Sequence, residues 1–256
     1  MSSICTLCGK QILDSPVIES DLVFDSEKCR DTYRKLAGIY GHNISDMGLP
    51  DVINANFFFV DVVGLSDPLL SVKNQMEKIE VLNRSISSCE AFQASKKKKI
   101  SMTTGDGMVI AFLLNPELPL QLAIQLHQKL RDYNQDKLPE DRIGIRIGLS
   151  SGPVFIMTDI NNNKNLWGPG IVIARRVMDI GDNLHILIAD RLAEELISLR
   201  DEYRTVIKPI SDYVIKHGQT IKIYSAYSKD FGNPNLPEKV LDFVEAKNSK
   251  KQNSLL

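Results

Sequence analysis

From Asn56 to about Lys229 the chain alternates between two hydrophobic periods. Asn56–Gly64 is a short β-branched and aromatic run, Phe57-Phe-Phe-Val-Asp-Val-Val, which predicts a buried strand. Between Pro68 and Cys89, Leu69, Val72, Met76, Ile79, Leu82 and Ile86 recur every three or four residues and predict a helix. Ser101–Phe112 reads as a hairpin turning at Gly105-Asp106-Gly107, followed by a helix over Pro119–Leu130. Ile143–Met157 reads as a strand pair around Ser150-Ser151-Gly152. A helix over Gly170–Ile180, a strand over His185–Ala189 and a helix over Arg191–Leu199 come next. Two closing strands run through Val214 and through Ile221–Tyr227. This order predicts an α+β fold, a mostly antiparallel sheet with helices packed mainly on one face.

The flanks differ in character. Residues 1–45 hold three of the four cysteines and form a separate small module, and 46–55 reads as a linker rich in turn residues. Residues 56–228 form the main domain. Residues 229–256 read as a flexible tail carrying one short amphipathic helix, Glu238–Ala246.

Composition narrows the class. Lys+Arg 31 against Asp+Glu 32 gives a formal net charge of −1, which provides no overall field for nucleic acid or anionic lipid. No apolar run reaches the roughly 20 residues of a membrane helix, and the start, MSSICTLCGK, has no apolar signal core. A cytoplasmic location is expected, with cysteines that bind metal or stay reduced rather than form disulfides.

Two carboxylates then stand out. Asp61 interrupts the most apolar run of the chain, where an unpaired charge costs several kcal/mol. The following Gly64-Leu65-Ser66 can turn backbone N–H groups toward an anion. Asp106 sits at the tip of the hairpin, which can pair beside the first strand. Either residue alone reads as a turn. Together, beside a phosphate-cradling loop, they suit two divalent cations that hold a triphosphate and activate a hydroxyl.

These residues resemble the class III nucleotidyl cyclases, the adenylate/guanylate cyclase homology domain. The resemblance is carried by Asp61-Val-Val-Gly-Leu-Ser66, with Leu65 where the family has Phe, and by Gly105-Asp106-Gly107. It continues through Arg146-Ile-Gly-Leu-Ser-Ser-Gly152, Gly168-Pro-Gly-Ile-Val-Ile-Ala-Arg-Arg176 and Lys216-His-Gly218, in family order. It implies a ferredoxin-like catalytic domain over 56–228 that converts a ribonucleoside triphosphate to a 3′,5′-cyclic nucleotide and pyrophosphate. Asp61, Asp106 and the Val62 carbonyl would hold two Mg²⁺ or Mn²⁺. Arg176 would stabilise the α-phosphate and Lys216 the phosphates, both supplied by the partner chain of a homodimer. Phe59, Gly64, Leu65, Ser66, Met102, Asn165 and Val172 would line the nucleotide.

The departures are specific. Val172 replaces the Asn that orients the ribose. The base-selecting positions hold Met102 and Asn165, which match neither the adenylate pattern (Lys with Asp or Thr) nor the guanylate pattern (Glu with Cys). Gly168-Pro-Gly170, Arg176-Val-Met-Asp179 and Gly181-Asp-x-x-His-Ile-Leu187 are also similar to the pyrimidine cyclases of bacterial antiphage defence, which make cyclic UMP or cyclic CMP. The base stays open among UTP, CTP and ATP. The alternative activity is a cyclase-fold nucleotide sensor that no longer turns over.

At the amino terminus, Cys5-x-x-Cys8 and Cys29 suggest a zinc module. Phe24-Asp-Ser-Glu-Lys-Cys29 resembles a TRASH/YHS-type zinc knuckle with Asp25 in place of a Cys. The expected ligands are Cys5, Cys8, Asp25 and Cys29, with His42 a second candidate for the fourth. Cys89 reads as a buried thiol.

Overall fold

The structure, a computed structural model, describes residues 5–7, 11–12, 15–19, 22–40, 52–95, 98–215, 218 and 220–253, with the backbone alone for 36–40, 164 and 246–253. It comprises two compact units, Met1–Asp51 and Val52–Leu256.

In the first unit, strands β1 (Val17–Glu19) and β2 (Leu22–Phe24) pair antiparallel, and helix α1 (Glu27–Tyr40) follows. The Phe24 ring is buried and meets Tyr33 of α1 with centroids 5.3 Å apart. Ser26 Oγ accepts the Cys29 N–H at 3.3 Å, as a side chain does at a helix start.

The second unit is built on an eight-stranded sheet. Its strands are β3 (Val52–Val62), β4 (Lys99–Thr103), β5 (Gly107–Phe112), β6 (Ile145–Thr158), β7 (Lys164–Trp167), β8 (Ile186–Ala189), β9 (Ile207–Val214) and β10 (Thr220–Ala226). The order is β4-β5-β3-β6-β8-β10-β9, with β7 added to the far end of β6. Among the described pairs only β6–β8 is parallel. This is the mixed, antiparallel-dominated sheet expected from the alternation.

The helices are α2 (Val72–Ser87), α3 (Glu90–Ala94), α4 (Leu118–Asn134), α5 (Pro169–Ile180), α6 (Asp190–Leu199), α7 (Asp201–Val206) and α8 (Glu238–Asn253). The two-residue period of β3 sorts the core. Phe58, Val60 and Val62 face the layer containing Leu82, Ile86, Leu122, Leu126 and Leu192, from α2, α4 and α6. Ala55, Phe57 and Phe59 face α5 through Ala174 and Met178. Fully burying a Phe or Leu of this kind stabilises by roughly 1.5–3 kcal/mol. Most helices thus cover one face, while α5 and α8 lie on the other.

Four elements differ from the expectation. β3 starts at Val52, not Asn56, because its first residues pair with Pro153–Phe155 of β6. Residues 143–157 form no strand pair: β6 runs unbroken for 14 residues, and its turn-like Ser150-Ser151-Gly152 serves helix packing. Ser150 Oγ donates to the Gly170 carbonyl at 2.9 Å, and a Cβ at Gly152 would lie 2.9 Å from Gly170 Cα. α2 begins only after Ser71, whose Oγ accepts the Asn74 N–H. Leu69, Val72 and Met76 are exposed; Leu70 packs against the core ahead of the helix, and within α2 that packing starts at Ile79. The tail carries a 16-residue helix rather than a short one, anchored by the buried Val240 among Val177, Ile180, Ile215 and Ile223.

Candidate active site

Three adjacent strands build the site. Asp61, the penultimate residue of β3, is flanked in register by Gly107 of β5 and Arg146 of β6. A Cβ at position 107 would lie 2.0 Å from the Val60 carbonyl oxygen, so only glycine lets the hairpin close here. That closure brings the hairpin tip onto the strand end, and Val62 N–H donates to the Asp106 carbonyl at 3.2 Å. Gly64 takes φ +75°, turning the chain after β3 into the loop Val63–Asp67. Asp61, Val62, Gly64, Leu65, Ser66, Asp106 and Arg146 line one cavity of about 540 Å³.

The electrostatics are unbalanced in a way that suits a cation. Asp61 is 5% exposed. Its Oδ2 accepts two hydrogen bonds from Arg146, from Nε at 3.0 Å and Nη2 at 2.8 Å, while its buried Oδ1 meets no hydrogen-bond donor among the described residues. Burial pushes the Asp61 carboxyl above its ordinary value; the Arg146 hydrogen bond opposes this, and the neighbouring Asp106 carboxylate adds to it. A buried oxygen without a donor, beside a second carboxylate and a backbone carbonyl, is a set of hard oxygen ligands that fits Mg²⁺ or Mn²⁺.

A second cavity, of about 770 Å³, lies along α5. Phe59, Met102, Asn165, Val172 and Arg176 all line it, together with Arg175, Asp179 and Lys239. The Arg175 guanidinium stands 6.0 Å above the Phe59 ring. Helix α5 approaches β6 closely because Gly148 has no side chain: a Cβ there would lie 2.3 Å from the Ala174 carbonyl oxygen. Lys239, from the first turn of α8, donates to the Asp179 carbonyl.

The structure therefore divides the expected residues into two groups on one chain. The metal-ligand candidates and the Gly64-Leu65-Ser66 loop gather in the first cavity. Phe59, Met102, Asn165, Val172 and Arg176 gather in the second. Lys216 lies outside the described residues. Sequence reasoning left Arg146 without a role, because its proximity to Asp61 follows only from the pairing of β3 with β6. Lys239 was missed because nothing in the tail announces that α8 returns to the sheet.

Within the amino-terminal unit, Cys5 Sγ, a carboxylate oxygen of Asp25 and Cys29 Sγ lie within 4.8 Å of one another. Cys5 Sγ donates to Asp25 Oδ1 at 3.6 Å, and Ser26 Oγ donates to the same oxygen at 2.9 Å. Cys8 and His42 lie outside the described residues. Cys89 is buried, and burial pushes its thiol up to about 11.

The model of the adenylate and guanylate cyclase catalytic domain matches residues 51–226, and the chain belongs to that family. The fold is similar to the guanylate cyclase domain of RhGC from Catenaria anguillulae, solved with GTP, at 20% identity and TM-score 0.56, covering 69% of this chain and 97% of that one. It is similar to the adenylyl cyclase CyaB from P. aeruginosa at 13% identity and TM-score 0.57, covering 71% and 98%. The dimeric guanylyl cyclase domain of the RhoGC fusion protein from Blastocladiella emersonii matches at 20% identity and TM-score 0.54, covering 69% and 97%. No curated protein is significantly similar to this chain in sequence. Among the described residues, no helix is long and apolar enough to cross a membrane.

Proposed function

We propose that this chain is a nucleotidyl cyclase that converts a ribonucleoside triphosphate to a 3′,5′-cyclic monophosphate and pyrophosphate in the cytoplasm. One observation carries the reading: Asp61 and Asp106 line one cavity, and the buried Oδ1 of Asp61 meets no hydrogen-bond donor among the described residues. In the reaction the ribose 3′-oxygen forms a bond to the α-phosphorus. The bond from that phosphorus to the β-phosphate bridging oxygen breaks, pyrophosphate leaves, and the 3′-hydroxyl proton is released. Asp61, Asp106 and the Val62 carbonyl would hold two Mg²⁺ or Mn²⁺. These ions, when bound, acidify the 3′-hydroxyl and neutralise the triphosphate.

The residues of this chain supply the rest. In the Val63–Asp67 loop the N–H groups of Gly64 and Ser66 receive the phosphates, those of Val63, Leu65 and Asp67 being bonded to backbone carbonyls. Arg146 favours the charged form of Asp61 against the effect of burial. Arg176 offsets charge that builds on the α-phosphate oxygens, and Lys216 holds the phosphates. Phe59, Met102, Asn165 and Val172 shape the nucleoside end. The two groups of residues occupy separate cavities of one chain, which supports a homodimer in which each chain completes the other's site.

The test is to incubate purified protein with Mn²⁺ and ATP, GTP, CTP or UTP separately, with cyclic products resolved by chromatography and Asp106→Ala as control. A cyclic product lost in the control supports the reading, and no product from any of the four overturns it. Val172 favours a second reading, a nucleotide sensor without turnover. Valine offers the ribose no hydrogen bond, and the loss of one such contact slows a reaction by roughly 5- to 150-fold. Direct nucleotide binding in the absence of product would identify the sensor.

The amino-terminal unit is proposed to hold one structural Zn²⁺ through Cys5, Cys8, Asp25 and Cys29, on the convergence of three of these ligand atoms.

A further inference from the structure

Asn165 lines the second cavity beside Met102, and the two are the groups that reach the base if the cavity receives the nucleoside, a premise that rests on the reading above. A free Asn amide accepts through its oxygen and donates through its nitrogen, and so suits almost any base edge. Here that freedom is removed. Asn165 Oδ1 accepts the N–H of Leu166 at 2.8 Å. The oxygen must be the atom on that side, since an N–H requires an acceptor, and the amide NH₂ therefore points away from the backbone it is tied to. Met102 has no strong hydrogen-bonding group.

The rest of the cavity is mixed, since the hydroxyls of Thr103, Thr104 and Tyr213 both donate and accept. Arg175, Arg176 and Lys239 contribute donors only. The single carboxylate, Asp179, faces Arg146 at 3.9 Å.

We infer that the substrate carries a base with a carbonyl oxygen at the edge read by Asn165, uracil or guanine, in preference to cytosine or adenine. At the corresponding position cytosine and adenine present an amino group, which would set donor against donor there. A mismatch of this kind costs about tenfold or more in discrimination.

The test has two arms. Binding and turnover of UTP, GTP, CTP and ATP by the full-length protein in Mn²⁺ are expected to favour UTP or GTP at least about tenfold over both amino-bearing nucleotides. The UTP and GTP arms identify which carbonyl base is used. The Asn165→Asp variant replaces the amide donor with a second acceptor, and is expected to shift the preference toward CTP or ATP. A wild-type preference for ATP or CTP, or an unchanged preference in Asn165→Asp, overturns the inference while leaving the cyclase reading intact. If the wild type neither binds nor converts any of the four, the cyclase reading fails and this inference fails with it.

Discussion

Arg146 donates both of its hydrogen bonds to one oxygen of Asp61, Oδ2, and leaves Oδ1 buried without a hydrogen-bond donor among the described residues. An ion pair formed only for stability would gain by engaging both oxygens in a fork. Here the arginine stabilises the charge of Asp61 and leaves one oxygen for another ligand.

Removing one member of this pair should therefore be costly. Arg146→Met leaves Asp61 buried and uncompensated, with an expected loss of about 3 kcal/mol in urea denaturation. The double variant Arg146→Met/Asp61→Asn should recover part of that loss, because no charge remains to be buried. Equal destabilisation of the single and double variants would show that the two residues do not act as a pair.

The two cavities on one chain give a mixing test. Asp106→Ala and Arg176→Ala should each be inactive alone. Mixed in equal amounts, they should regain about a quarter of the wild-type rate, since about half the dimers pair the two variants and each of those has one intact site. Additive background activity in the mixture would show that each chain works by itself.

Close packing of α5 on β6 predicts the cost of a single methyl group. Gly148→Ala places a Cβ 2.3 Å from the Ala174 carbonyl oxygen and 2.4 Å from the Met178 nitrogen, both backbone atoms. Destabilisation of about 2–3 kcal/mol is expected, read as a lowered Tm. An unchanged Tm would mean that α5 can move away from the strand freely.

His127 of α4 is buried, its Nδ1 accepts the Gly232 N–H at 3.3 Å, and its Nε2 has no partner. Burial pushes its pKa down to about 4 from an ordinary 6.5. Below pH 6.5 the unfolded chain takes up a proton that the folded chain refuses until about pH 4, so stability falls as pH drops through that window. From pH 7.5 to 5 the loss from this residue should be about 2 kcal/mol. In His127→Gln the pH dependence of urea denaturation should shrink by that amount, and an unchanged slope would rule His127 out as the source.

Zinc in the amino-terminal unit predicts about one equivalent per chain by elemental analysis, lost in Cys29→Ser. A metal-free wild type purified without chelator would leave Cys5 and Cys29 as simple reduced thiols.

Much of this was legible in the sequence because the signals were local. The apolar run before Asp61, the Gly-Asp-Gly turn and the periodicity of α4 and α5 each depend on residues close together in the chain. Non-local pairing was not legible. Ser150-Ser151-Gly152 has turn composition, yet those small residues are there because Gly170 of α5 presses against them from 18 to 20 positions away. Arg146 and Asp61 are 85 residues apart and meet only through strand pairing. The helical period over Val72–Met76 is genuine, but periodicity reveals neither that Leu69 lies before the helix nor whether a partner surface lies opposite.

The alternation of β3 has one more consequence. Asp61 reaches the cavity because it shares a face with Phe57 and Phe59, while Val60 and Val62 enter the opposite core. A slip of the strand by one position would send the carboxylate into the hydrocarbon interior and leave valines to meet the phosphates. The eleven residue pairs that join β3 to β6 therefore act as an alignment gauge for the chemistry, and a defect as distant as Val52 or Ile53 bears on where Asp61 points.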